Sequence, residues 1–290
     1  MGYLHIQNLY RPESQAMIFL FREVYALEKI HGTSAHISFK EGQLHFFSGG
    51  EKHDNFVKLF DAEALAVGMA ELGAMEVVIF GEAYGGKQQA QSWRYGKELK
   101  FVAFDVKIGD CWLDVPNAEQ VSRRLGLEFV HWRRVPAEIE ALNVERDAPS
   151  EQARRNGVEG DQPREGVVLR PLVEFKQNNG ERVIAKHKRD EERETNTTRK
   201  VEDPGKLQVL QEAEAIALEW VTETRLEHVL DKLPQGIGME STGQVIAAMV
   251  EDVTREAAGE IVDSKEARKA IGARAAKLFK QRFTKALQAT

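Results

Sequence analysis

The chain has 290 residues, 42% hydrophobic and 30% charged, which leaves room for one large domain or two modest ones with a real core and excludes a wholly disordered chain. Its longest apolar run, Met17 to Phe21, falls far short of the ~20 residues that cross a bilayer. Nothing after Met1 reads as a secretory signal, and the single Cys111 allows neither an internal disulfide nor a cysteine zinc cluster, so a soluble, cytoplasmic, reduced protein is expected. The formal charge of −6 is uneven: Ser264 to Thr290 carries eight Lys or Arg against Glu266 alone, a +7 tail on a remainder of −13, which suits either a polyanionic partner or a solvated helix face.

Up to about residue 200 the pattern is strand-like and rich in turns. Ala35, Ile37 and Phe39 alternate with polar residues, Lys40-Glu41-Gly42 turns the chain, and Leu44 and Phe46 alternate again, which predicts a hairpin. Met75 to Phe80, Phe101 to Val106 and Cys111 to Val115 read as short strands, and Asn117 with Gln120 as a capping box opening a short helix. Val167 to Leu169 and Arg182 to Ala185 flank Asn178-Asn179-Gly180, a hairpin turn. Beyond Asp203-Pro204-Gly205 the period becomes helical. A first helix is predicted over Lys206 to Leu233, with Leu207, Leu210, Ala213, Ala217, Trp220 and Val221 in phase, stopped by Pro234, Gly236 and Gly238. A second carries Val245, Ile246, Met249, Val250 and Val253. A third runs to the C-terminus, capped by Asp263 with Glu266 and apolar at Ile271, Ala275, Leu278 and Phe283. The expected organisation is an α+β domain over residues 1–203 and a small all-α domain over 204–290.

Five stretches carry chemistry. Glu28-Lys29-Ile30-His31-Gly32-Thr33 presents an amine at a strand end, with Gly32 permitting a tight turn; an amine desolvated near other cations loses its proton more easily and becomes a nucleophile. Gly81-Glu82-Ala83-Tyr84-Gly85 ends an apolar strand with a carboxylate, and Phe101 to Val106 offers the aromatic Phe104. Glu165-Gly166-Val167-Val168-Leu169-Arg170 and Ala185-Lys186-His187-Lys188 follow. Lys186 and Lys188, two apart on a strand, share a face. Taken singly, each of these has an ordinary structural reading.

In that order and spacing the set resembles the covalent nucleotidyltransferases, the superfamily of ATP-dependent ligases and capping enzymes, and Glu-Lys-Ile-His-Gly-Thr is similar to the RNA ligase 2 family. The resemblance covers residues 15–195. It implies an adenylation domain of antiparallel sheets with flanking helices, in which Lys29 takes AMP from ATP, Glu82 binds ribose and Phe104 stacks on adenine. It further implies Glu165 at the α-phosphate with the metal, Mg²⁺ or Mn²⁺, and Lys186 and Lys188 on the phosphates. Glu28 would lie against adenine and Ile30 would line the nucleotide site. His31 would handle an RNA 5′-phosphate, the alternative being a loop hydrogen bond. The chain departs from the family at Phe47-Ser48-Gly49-Gly50, where an Arg is usual, and at Ser34, where an Asn is usual.

The expected activity is ATP-dependent joining of RNA 5′-phosphate and 3′-hydroxyl ends, as in nick repair, by a monomer with no membrane partner. Arg274, Lys277 and Lys280 of the tail are candidates to hold the RNA. The alternatives are a compact DNA ligase or other adenylyltransferase, and a non-catalytic RNA-end-binding protein on the same scaffold.

Overall fold

The computed structural model describes residues 2–88, 91–192, 195, 212–234 and 237–288, without the side chains of 283–288. The chain divides into two compact units, Met1–Arg189 and Asp190–Thr290. The boundary expected at 203/204, Leu207, Leu210 and Gly236, and the side chains of Phe283 and Lys285, lie outside the described residues.

The first unit is built on two five-stranded sheets, whose strands in chain order are β1 (Gln7–Asn8), β2 (Glu23–Lys29), β3 (Thr33–Lys40), β4 (Gln43–Ser48), β5 (Glu76–Tyr84), β6 (Lys100–Ile108), β7 (Cys111–Trp112), β8 (Trp132–Pro136), β9 (Gly166–Pro171) and β10 (Ala185–Lys188). The first sheet runs β1-β10-β9-β2-β8 and the second β4-β3-β5-β6-β7. Pairing is antiparallel except between β1 and β10. The predicted hairpin is β3–β4: Lys40 pairs with Gln43, and Glu41 and Gly42 both take positive φ (51° and 79°), the two-residue turn whose twist matches its strands.

Helices flank the sheets: α1 (Pro12–Ile18), α2 (His53–Val57), α3 (Ala62–Ala70), α4 (Val115–Arg124), α5 (Ile139–Asp147) and α6 (Glu151–Arg155). Two expectations are corrected here. The strand expected to reach Val115 ends at Trp112, and α4 begins at Val115 because the Asp114 side chain accepts from the Asn117 N–H, with Pro116 in the first turn. Asp114 therefore takes the capping role expected of Asn117. The strand expected over Arg182 to Ala185 runs over Ala185–Lys188 instead, while Arg182 makes only an isolated bridge to Lys176 across the Gly180 turn.

Both sheets contribute to one core. Leu27 of β2 shares it with Ile37, Ile79 and Val102 of the second sheet, and Phe56, Met69 and Ala118 cover that sheet's outer face. Burying apolar area of this kind contributes about 25 cal/mol per Å².

The second unit, among the described residues, holds α7 (Ala213–Trp220), α8 (Glu223–Asp231), α9 (Thr242–Glu256) and α10 (Lys265–Gln288). The single helix expected up to Leu233 is two, because the chain leaves helical geometry at Val221 and Thr222 caps the next helix by accepting from the Arg225 N–H. The cap of α10 is the Ser264 hydroxyl, which accepts from the Ala267 N–H, while Asp263 pairs with Arg268. Ile271, Ala275 and Phe279 of α10 are buried against Trp220, Leu226 and Met249, with Leu278 at the margin. A buried ion pair, Arg225 to Asp252 at 2.6 Å, braces α8 and α9. Among the described residues no helix is long and apolar enough to cross a membrane.

Candidate active site

Strand β2 of one sheet passes into β3 of the other through only three residues, Ile30 to Gly32, so Lys29 stands where the two sheets join. Gly32 is needed there for closeness rather than for a turn. A Cβ at Gly32 would lie 2.5 Å from the Ala83 carbonyl oxygen, 2.7 Å from Glu82 Cγ and 2.9 Å from Tyr84 Cβ. The missing side chain lets the start of β3 close on β5, and the Gly32 N–H donates to the Glu82 carboxylate.

The other groups arrive through register. Lys29 pairs with Gly166, and Gly166 with Lys188; one step on, Leu27 pairs with Val168 and Val168 with Lys186. Directly paired residues share a sheet face, so Lys29, Lys186 and Lys188 stand on the face that, through Leu27 and Val168, packs against the second sheet. Gly166 keeps their row open: its φ is +153°, and a Cβ there would meet the His187 carbonyl oxygen at 2.2 Å. Glu165, just before the strand, reaches between the amines.

Its carboxylate is the centre of the cluster. One oxygen accepts from Lys29 Nζ at 2.8 Å and lies 3.7 Å from His31 Nδ1; the other meets Lys188 Nζ at 2.9 Å. Glu165 is 3% exposed, against 24% for Lys29 and 12% for Lys188. Burial alone would raise its pKa, but Lys188 and Lys29, helped by His31, more than offset that and hold the carboxyl well below the usual carboxylate range. Lys29 is thus paired with a carboxylate, and the Lys188 amine shares that carboxylate with it. Glu82 behaves oppositely. Burial pushes its carboxyl up to about 8 against the pull of Lys29, with repulsion from Glu165 adding to the rise. Near neutral pH one carboxyl is an anion and the other mostly an acid able to donate a hydrogen bond.

Phe104 reaches this face through an irregularity. The β5–β6 register shifts between Phe80 and Gly81, leaving Phe104 as the extra residue. Tyr3 touches both Phe80 (5.1 Å) and Phe104 (4.9 Å, edge to face), so both rings lie on the side that carries Glu82. Behind them the cleft is closed by a buried ionic cluster that sequence reasoning missed. Asp105 takes Arg170 at 3.0 Å and Arg182 at 2.7 Å, Glu174 pairs with both arginines, and the Tyr3 hydroxyl donates to Asp105. Asp105 and Arg170 bind the two sheets together across 65 residues of sequence.

Two expected nucleotide contacts are not brought to Lys29. Glu28 alternates to the opposite face, where its carboxylate accepts from the Ser150 hydroxyl and from the N–H groups of Glu151 (3.0 Å) and Gln152 (3.2 Å), anchoring α6. Burial raises the Glu28 pKa, opposed by these donors and by Arg164. Ile30 is a core residue, 4% exposed. His187 faces the same way as Glu28, 2.7 Å from the Asn143 side chain, and burial lowers its pKa to about 4.

Among the described residues no group of three or more His, Cys, Asp and Glu is spaced to hold a metal ion. Glu165, the anion of the two cleft glutamates, suits a hard cation that keeps water and phosphate ligands, the habit of Mg²⁺. In the tail, Arg274 is engaged by the bundle, donating to the Val221 carbonyl at 2.9 Å, and Arg282 meets Glu227 at 3.3 Å. Lys269, Lys277 and Lys280 are exposed along α10.

No curated protein matches the chain in sequence. Solved structures of Naegleria gruberi RNA ligase resemble it in fold: the form with PPi has a TM-score of 0.51 at 14% identity, covering 66% of this chain and 56% of that one. An alanine mutant of the same ligase with ATP and Mn has a TM-score of 0.51 at 13% identity, over 66% and 57% of the two chains. The chain therefore spans little more than half the length of these relatives. The family model described as RNA ligase matches residues 22–188, which takes in Lys29, Glu82, Phe104, Glu165, Lys186 and Lys188, and the chain belongs to the RNA ligase family.

Proposed function

We propose that the chain is an ATP-dependent RNA ligase that seals a 5′-phosphate to a 3′-hydroxyl, with nicked RNA as its substrate. The observation that carries this reading is the convergence of Lys29, Lys188 and His31 on Glu165, with Glu82 and Phe104 on the facing sheet. Lys29 attacks the α-phosphorus of ATP: an N–P bond forms, the bond to pyrophosphate breaks and the amine proton passes to water. Lys29 reacts as the free amine, so its ion pair with Glu165 must open first. AMP then passes from Lys29 to the RNA 5′-phosphate. In the last step the 3′-hydroxyl attacks that phosphate and AMP leaves.

Phosphoryl transfer is driven by positioning and by countering charge on the oxygens. Lys186 and Lys188 supply that charge from one strand face, Phe104 takes a face of the adenine, and Glu82, mostly protonated, donates to a ribose oxygen. Glu165 would hold the divalent cation, which would supply Lewis acidity at the phosphate oxygens. His31 would meet the RNA 5′-phosphate once Glu165 is drawn off. Glu28 serves through α6 and the backbone it steadies. Residues 1–203 form the adenylation domain, and 204–290 grip RNA through Lys277 and Lys280, with Arg274 bracing the helix that bears them. A Naegleria relative solved with ATP and Mn supports the choice of nucleotide and metal.

Incubation with α-labelled ATP and Mg²⁺ should give a covalent AMP adduct that is absent from Lys29→Ala. No adduct in the wild type at any pH or with either metal would refute the reading and leave the RNA-end-binding alternative. Nicked duplexes with RNA or DNA on the 3′-hydroxyl side then separate an RNA from a DNA ligase.

A further inference from the structure

Where the family resemblance leads one to expect an Arg, this chain carries Phe47 on β4, the strand that ends the second sheet. Phe47 is 47% exposed, an unusual state for a ring on a sheet whose other face is core. The alternation of β4 separates its side chains cleanly. Phe46 turns to the core, where it meets Phe56 and Phe60. His45 and Phe47 turn the other way and are both exposed.

That outward face belongs to the catalytic cleft. Phe47 pairs with His36, His36 with Phe80, and Ser34 with Glu82, so all of them share one side of the sheet. The rings are also in contact. His36 stacks on Phe47 with centroids 5.0 Å apart and planes at 23°, and meets Phe80 at 5.8 Å; Phe80 then touches Tyr3, which touches Phe104. A row of aromatic rings thus runs from the residue expected at adenine to the open rim. Its last ring is held flat by a buried imidazole, which keeps its outer face toward water. Burial lowers the pKa of His36, so the supporting ring is uncharged at neutral pH.

A ring fixed in this way suits a nucleobase. Stacking accepts any base, and neighbouring aromatics two residues apart on a strand, about 6.8 Å, match bases splayed out of a helix rather than stacked within one. We propose that the His45 and Phe47 face of β4 is a stacking platform for an unpaired base next to the break in the RNA strand. The inference deepens the ligase reading and rests on it. It gives the rim of the cleft a hold on a terminal base that has frayed from its pairing partner at the nick.

The test is fluorescence anisotropy at fixed salt with a labelled, single-stranded, 5′-phosphorylated RNA and with the same RNA made abasic at its terminal nucleotide. Phe47→Ala should weaken binding of the normal RNA about 5- to 150-fold, Phe47→Trp should restore it, and the abasic RNA should bind weakly to all three proteins alike. Wild-type affinity in Phe47→Ala overturns the proposal. So does an equal loss on abasic RNA, or failure of Phe47→Trp to restore binding when its circular dichroism matches the wild type. Formation of the AMP adduct by the wild-type protein is measured in parallel, so failure of the ligase reading is distinguished from failure of the platform.

Discussion

Replacing Glu165 by Gln removes an anion that Lys29, Lys188 and His31 share while keeping the side chain's shape. Removing one partner of a buried ion pair costs about 3–5 kcal/mol. Here the amines keep part of their hydration, Lys29 at 24% exposure and Lys188 at 12%, so they can swing toward water and the loss falls to about 2–3 kcal/mol. A domain of this size shifts its Tm by about 2–4 °C per kcal/mol, which predicts that Glu165→Gln melts about 4–12 °C lower at pH 7. The sign of the pH dependence follows from a depressed carboxyl: its contribution is full above the unfolded-state pKa and is lost as pH falls through the folded one. The gap between wild type and variant should therefore persist from pH 7 to about 5 and close only in strong acid. Differential scanning calorimetry of both proteins from pH 7 to 3 measures it. Equal melting temperatures at pH 7, or a gap that widens on acidification, would refute the electrostatic account of the cluster.

Glu82 should show the reverse trend. Its carboxyl is favoured as the acid, so wild-type stability falls as pH rises between about 5 and 8; Glu82→Gln should gain on the wild type by an amount on the order of 2–5 kcal/mol over that window, read from urea midpoints, and a flat difference would contradict it. Gly32→Ala forces a methyl into the space held by Ala83, Glu82 and Tyr84; it should cost about 1–3 kcal/mol and slow AMP-adduct formation, which an unchanged rate would disprove. In the tail, Lys277→Glu with Lys280→Glu should lower the slope of log affinity for single-stranded RNA against log salt by about 1.4, whereas an unaltered slope would return α10 to a solvated face.

The β3–β4 hairpin was legible because one of its faces is wet, so its residues alternate, and because Glu41-Gly42 can take the two positive φ values the turn demands. Strand β2 was legible only at its end: it is buried on both sides, and a strand with two apolar faces has no period to read. The chemical groups of the cleft could be found from their order along the chain, but their partners could not. Glu28 capping α6, Asp105 holding Arg170 and Arg182, and Tyr3 lying on Phe104 join residues about 65 to 120 positions apart, and no local pattern records such a pairing. The break between α7 and α8 was hidden for a different reason. Apolar residues keep helical spacing through Val221, and only the Thr222 hydroxyl marks the new start.

The three-residue crossing from Ile30 to Gly32 makes Lys29 a neighbour of the fulcrum between the two sheets. Swinging one sheet against the other displaces atoms in proportion to their distance from that fulcrum, so Lys29 and Glu82 keep their spacing while the far rims travel most. The Arg170–Asp105 pin restrains those sheets a second time, at a distance from the crossing. Crossing and pin together fix the spacing of the two sheets where Lys29, Glu82 and Glu165 stand.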